Sequence, residues 1–156
     1  MRVRLIAAGT RLPAWIGLGF AEYARRMPPE SALELIEIPL ARGTAHGARG
    51  RAVEREGERM LAALGTRSWV VALDVAGRPH DTLALARWWA GRLRDGRELA
   101  FLLGGPDGLA PACLARADER LSLSPLTLPH GLVRVLVAEQ LYRVQGLLKG
   151  HPYHRE

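Results

Sequence analysis

The sequence predicts an α/β fold with a mostly parallel sheet flanked by helices, and three observations carry that prediction. Short apolar runs alternate along the chain with longer amphipathic segments, the order that strand–helix–strand units produce. Two of the runs, residues 69–73 (WVVAL) and 99–103 (LAFLL), are apolar without interruption, as central strands buried on both faces are. The second runs straight into Gly104-Gly105-Pro106-Asp107-Gly108, a turn placed where an open α/β sheet binds its ligand, beyond the carboxyl ends of the strands.

The elements follow in order. Residues 2–8 (RVRLIAA) alternate and turn at Gly9, which reads as a strand. Residues 15–26 carry Trp15, Ile16, Phe20 and Tyr23 at helical spacing and stop at Met27-Pro28-Pro29. Residues 33–38 (LELIEI) alternate strictly, a half-buried strand closed by Pro39. Residues 40–51, rich in glycine, small residues and arginine, predict a mobile basic loop leading into a helix over 50–64. The strand at 69–73 precedes a helix over 81–94 with Asp81 or Thr82 as N-cap. The strand at 99–103 precedes a short helix over 109–117. Residues 121–128 (LSLSPLTL) read as strand plus turn, and residues 132–148 as a long amphipathic helix. No repeat, low-complexity segment or linker divides the chain, so residues 1–156 form a single domain.

A chain of 156 residues buries roughly 70% of the surface its unfolded form exposes. With 48% hydrophobic and 24% charged residues it is globular. The single cysteine, Cys113, excludes an intrachain disulfide and a cysteine-based zinc site, and fits a reducing, cytoplasmic home. The first residues hold too short an apolar run for a signal peptide, and no stretch approaches the ~20 apolar residues of a membrane span; the chain reads as soluble, with no membrane partner. A net charge of +6 and a pI of about 10.6 favour an acidic partner such as nucleic acid, although mild basicity also serves solubility. Lys149 is the only lysine and no Gly-Lys-Ser/Thr occurs, which excludes a Walker-A phosphate loop.

Three strand ends stand out as candidate sites: Leu73-Asp74, Gly104-Gly105 and residues 122–128. The 104–108 segment is not GxGxxG, and by itself also reads as a tight strand-to-helix turn. The apolar 122–128 segment, with hydroxyls at Ser122, Ser124 and Thr127, suits an adenine ring or a strand with a solvent-facing hydroxyl row. Glu139 and Arg143 sit four apart on the last helix, with Arg134 further up. They form either a surface pair worth ~0.3–0.5 kcal/mol or an arginine set over phosphate or base and held by a carboxylate. His130 reads as a loop residue ahead of that helix. The chain finishes on HPYHRE, where His151 and His154 lack the neighbouring carboxylates or cysteines of a metal site, so no metal is expected.

The stretches RLIAAGTRLPAWI, FAEYARRMP, LELIEIP, ALDVAGRPHDT, LLGGPDGL, LSLSPLTLPHGLVRVLVAEQLYR and the terminal HPYHRE resemble, end to end, the RlmH family, ribosomal large-subunit pseudouridine methyltransferases of the SPOUT superfamily. The resemblance implies an α/β knot, a deep trefoil near the C-terminus that connection rules by themselves argue against. It implies S-adenosylmethionine as cofactor, bound by Leu73, Gly104, Gly105, Leu123, Ser124, Pro125, Leu126, Thr127 and Leu128. It implies a homodimer with the last helix in its interface, and as substrate N3 of a pseudouridine in helix 69 of 23S rRNA on the assembled ribosome.

Within that resemblance the tail acquires roles. His154 is the expected general base from its reference pKa of ~6.5, with Glu139 second. Arg143 and Arg155 hold phosphate or developing negative charge. Tyr153 stacks on the base or packs in the dimer interface. Pro125 stands where a small residue is expected and removes a backbone donor. Gly146 and Gly150 are expected to loosen the join to the tail. The loop at 42–51 is expected to reach rRNA, with binding that weakens in salt. Two other classes fit the residues less fully: a ribosome-associated factor without a cofactor, and a SPOUT methyltransferase acting on tRNA.

Overall fold

A computed structural model of the chain describes residues 1–42 and 48–155, with the side chains of Ala48 and His154 outside that set. Five strands form one all-parallel sheet: β1 (Val3–Ala8), β2 (Leu33–Ile38), β3 (Trp69–Pro79), β4 (Leu99–Leu103) and β5 (Glu119–Ser122), in the order β2-β1-β4-β3-β5. The α-helices are α1 (Ala14–Ala24), α2 (Ala48–Ala62), α3 (Thr82–Asp95), α4 (Pro111–Arg116) and α5 (His130–Leu148). The fold class is the expected one.

The central strands are buried on both faces because they alternate between two cores. Val3, Leu5 and Ala7 of β1, with Leu99, Phe101 and Leu103 of β4, face α1, α3 and α5. Ile6 and Ala8, with Ala100 and Leu102, face α2 and α4. The strand read in residues 2–8 is buried on both faces; Arg4 alone breaks the burial of β1. Its guanidinium donates to the Ala63 carbonyl at 3.1 Å and lies 3.5 Å from Glu98.

Helix α3 starts where its cap dictates: the Asp81 carboxylate accepts the Ala84 N–H at 2.7 Å. The buried Trp89 donates its indole N–H to Gln145 at 2.7 Å, tying α3 to α5. Helix α5 ends in a Schellman arrangement, in which the His151 N–H reaches the Gly146 carbonyl at 2.8 Å and the Gly150 N–H reaches Leu147 at 3.2 Å. Gly150 takes φ +68° there. That corrects the expected loosening: Gly150 is the residue that fixes the turn into the tail.

Strand β3 runs on to Pro79, past the expected end at residue 73, because β5 pairs with it twice. Leu121 is opposite both Leu73 and Arg78, across an irregularity. Part of the basic loop expected at 40–51, residues 43–47, lies outside the described residues. Helix α2 begins at Ala48.

Candidate active site

The irregularity in β3, the carboxyl ends of β4 and β5 and the first turn of α5 enclose a cavity of about 390 Å³. From β3, past its pairing with β4, its wall takes Leu73, Asp74 and Val75; from the end of β4 and the turn after it, Leu103, Gly104, Gly105 and Gly108; from the end of β5 and the segment after it, Leu121 to Ser124 with Leu126 and Leu128. Leu109 and Leu114 close one side, and His130 and Val133 the other. The volume is that of a small-molecule site, and the lining has its usual chemistry, apolar walls with few polar groups.

The turn after β4 folds back on itself. The Gly108 N–H donates to the Gly105 carbonyl at 3.0 Å, with Pro106 and Asp107 between them. A Cβ at Gly104 would come within 2.5 Å of the Gly108 carbonyl carbon, so only glycine fits. The 122–128 segment is shaped by its hydroxyls. Ser122 Oγ donates to the Ser124 carbonyl at 3.1 Å, and Ser124 Oγ accepts the Leu126 N–H at 3.0 Å. Leu126 is 71% exposed and Val75 68%, so two apolar side chains stand open at the rim.

Of the residues expected at the cofactor, Leu73, Gly104, Gly105, Leu123, Ser124, Leu126 and Leu128 line this cavity. Pro125 and Thr127 are exposed and are not among the lining residues. Asp74, singled out with Leu73 at a strand end, is a lining residue, and so is His130, which sequence reasoning passed over as a site residue. The signal for His130 was its place between an apolar loop and a helix that must return to the sheet.

His130 is half-buried. Burial, and then the nearby Arg134 charge, hold its imidazole below the ordinary histidine value. Arg134 itself, only 1% exposed, is an internal clamp rather than a group set over a ligand. It pairs with Glu37 at 2.7 Å and donates to the carbonyls of Ala8 and Gly9 at 3.2 and 2.7 Å.

The second cluster is built at the other end of α5. Arg143 donates through Nε to Glu139 at 2.8 Å, and its guanidinium lies 5.0 Å from the centroid of the Tyr153 ring. The Tyr153 hydroxyl is 3.2 Å from Glu139, and its ring lies 4.7 Å from that of Tyr142 and 6.4 Å from that of Tyr23. Burial, followed by the Tyr23 and Glu139 contacts, raises the Tyr153 phenol above its ordinary range, so it remains a neutral donor. Arg155 is exposed, and the His154 side chain lies outside the described residues.

None of Glu139, Arg143 or Tyr153 lines the cavity. Glu139 stands nine positions along the helix from His130, a rise of roughly 13 Å. The structure thus brings seven of the nine expected cofactor residues together, and Glu139, Arg143 and Tyr153 together, but on one chain it keeps the two groups apart. Among the described residues no group of three or more histidine, cysteine, aspartate or glutamate side chains is arranged to hold a metal ion, and no helix is long and apolar enough to cross a membrane.

A family model described as "Predicted SPOUT methyltransferase" matches residues 1–154. A protein of Alkalilimnicola ehrlichii named ribosomal RNA large subunit methyltransferase H is 60% identical over 155 residues, covering 99% of each chain. The chain belongs to the SPOUT methyltransferases, in their RlmH family. Proteins of the same name from Thioalkalivibrio sulfidiphilus and Pseudomonas fluorescens are each 53% identical, covering 100% and 99% of this chain and 100% of their own lengths. The crystal structure of a probable methyltransferase from Bordetella pertussis shares the fold, with a TM-score of 0.60 at 22% identity, covering 92% of this chain and 93% of that one. For a SPOUT methyltransferase, the cavity is set where the open-sheet rule puts a ligand.

Proposed function

We propose that the chain is a cytoplasmic, S-adenosylmethionine-dependent rRNA methyltransferase that acts on N3 of a pseudouridine in helix 69 of 23S rRNA, on the assembled ribosome. The observation that carries this reading is the apolar cavity at three parallel strand ends, built from LLGGPDGL and LSLSPLTL in a chain so close to the ribosomal RNA large subunit methyltransferases H. Family membership implies in addition that the C-terminal part is drawn through a loop into a deep trefoil knot.

The lining fits the cofactor's chemistry. Leu73, Leu123 and Leu128 offer apolar faces to an adenine ring. The backbone of Gly104 and Gly105 is accessible to polar edges, and Asp74 supplies a carboxylate for a cationic group. Pro125 keeps its carbonyl for such a contact. S-adenosylmethionine supplies a methyl group already activated on a sulfonium cation, so the chain's task is alignment of the acceptor nitrogen and removal of its proton.

The tail residues receive the RNA. Arg143 and Arg155 meet phosphate or the developing charge on the base, Tyr153 stacks, and Glu139 orients Arg143 and Tyr153 through the bonds it already makes. His154 is the histidine the tail can place at N3. Because cavity and tail lie apart on one chain, the working site is a homodimer in which one protomer's tail meets its partner's cavity, with α5 in the interface. The arginines of both protomers, with those of the 42–51 segment, then face rRNA.

The test is transfer of label from S-adenosylmethionine to assembled ribosomes, free large subunits and bulk tRNA from cells lacking the endogenous activity. Label in 23S rRNA of assembled ribosomes is the expected result. Label in tRNA would keep the enzyme class and remove the substrate. No label with no cofactor binding would leave a ribosome-binding protein without catalysis.

A further inference from the structure

Resting on the reading of the cavity as the methyl-donor site, we infer that His130, in the chain that holds the donor, is the general base that takes the proton from the acceptor nitrogen. His130 is the first residue of α5, in the cavity wall with Leu73, Gly104 and Ser124 from the three strand ends. It is the one histidine in that lining. Among the described residues its ring makes no hydrogen bond, and it stands half-buried in the cavity wall.

The charges around it favour the neutral form. On its own helix Arg134 lies one turn away; a Cβ placed at Gly9 would be 3.7 Å from His130 Nε2 and 3.5 Å from Arg134 Nη2. Glu37 of β2 is engaged by Arg134. The ends of β1 and β4 bring backbone and glycine to this region. Asp74, at the irregularity within β3, is the one carboxylate in the cavity lining, and its Oδ1 is 3.2 Å from the Ala76 N–H, which donates to it. Burial first, and Arg134 second, keep the imidazole deprotonated at neutral pH. A base needs that form.

The rival acceptor with described geometry is less free. Glu139 is occupied by Arg143, by Gln140 at 2.7 Å and by the Tyr153 hydroxyl. The step balances without another reagent. The N3 proton passes to the imidazole while the N3 lone pair forms the bond to the methyl carbon. The carbon–sulfur bond breaks, its electron pair stays on sulfur, and the imidazolium later returns the proton to water. His154 is then a positioning residue of the tail.

The test uses the full-length dimer, His130→Asn and His130→Gln, with His154→Asn beside them. Single-turnover methyl transfer to ribosomes is measured from pH 5 to 9 at saturating S-adenosylmethionine, and cofactor affinity by calorimetry. The expected result for the wild type is an acidic limb with its midpoint below the ordinary histidine value. In both His130 variants that limb disappears and the rate falls ~10²–10⁴-fold, while cofactor affinity is held; His154→Asn lowers the rate but keeps the limb. Two outcomes overturn the inference: an acidic limb retained unchanged in the His130 variants, or a rate loss that saturating cofactor restores, which makes His130 a wall of the cofactor site. A limb abolished by His154→Asn alone assigns the base to the tail. A wild type that binds no cofactor removes the reading beneath the inference.

Discussion

At Gly104 one methyl group decides whether the cavity keeps its floor. A Cβ there would meet the Gly108 carbonyl carbon and oxygen and the Leu109 nitrogen at 2.5–2.7 Å, all backbone atoms that cannot swing aside. Gly104→Ala is expected to cost ~1–3 kcal/mol by overpacking, read as a lower urea midpoint, and to weaken S-adenosylmethionine binding by calorimetry about tenfold or more. Arg134 shows the opposite case, a charge kept because its partners are fixed. Arg134→Met leaves Glu37 and the carbonyls of Ala8 and Gly9 without their donor and is expected to cost ~1–3 kcal/mol in the same assay. His130 links pH to stability with a definite sign. Its pKa is lowered on folding, so between the folded value and ~6.5 the unfolded chain binds more protons, and stability rises with pH. Below that window the contribution is lost. Stability curves for wild type and His130→Asn are therefore expected to differ in slope only between the folded value and ~6.5, and to run parallel on either side of that window.

At the scale of elements, the tail and the cavity are separable. Truncation after Gly150 removes Tyr153 and Arg155, neither of which lines the cavity, and keeps the Gly150 N–H bond to Leu147 while losing that of the His151 N–H to Gly146. Cofactor affinity is expected to survive and methyl transfer to ribosomes to disappear; transfer that persists would make HPYHRE a passive end. What the sequence made legible follows the range of the interactions involved. The runs WVVAL and LAFLL became central strands because continuous apolarity is a local property. Asp81 was readable as a cap for the same reason. The extension of β3 to Pro79 was not readable, since it depends on Leu121 pairing at two places on a strand more than 40 residues earlier. Nor was the burial of Arg134, whose carboxylate partner is 97 residues distant. Gly150 looked like a weakness from helix propensity, yet its positive φ is what closes α5. The strand-end residues of the candidate site were legible through the carboxyl-end rule. His130 was not, because only the assembled sheet carries the first turn of α5 over the cavity.

At the scale of the whole molecule, the division of the site along α5 makes assembly a requirement of the proposed activity. A protomer that holds cofactor presents no tail to it, and its own Tyr153 is packed against Tyr142, Tyr23 and Arg143 on its own surface. If a second copy completes the site, two defective chains can repair one another. Gly104→Ala damages the cavity and keeps the tail, whereas truncation after Gly150 does the reverse. With the cofactor held well below the Kd of the Gly104→Ala chain, each variant by itself is expected to transfer little or no label to ribosomes. Mixed dimers, formed by co-expression with two affinity tags and purified through both, contain one intact cavity facing one intact tail, and are expected to recover transfer that neither parent shows. Tail and cavity acting within one chain would leave the mixture inactive, because no single chain in it has both. The same mixed dimer lacks only one copy of Arg155 among the arginines of the two chains, so the salt slope of its ribosome binding is expected to fall short of the wild type by no more than about one phosphate contact. Recovery of catalysis with so small a change in slope would then locate the defect of each parent in the site and not in the grip on RNA.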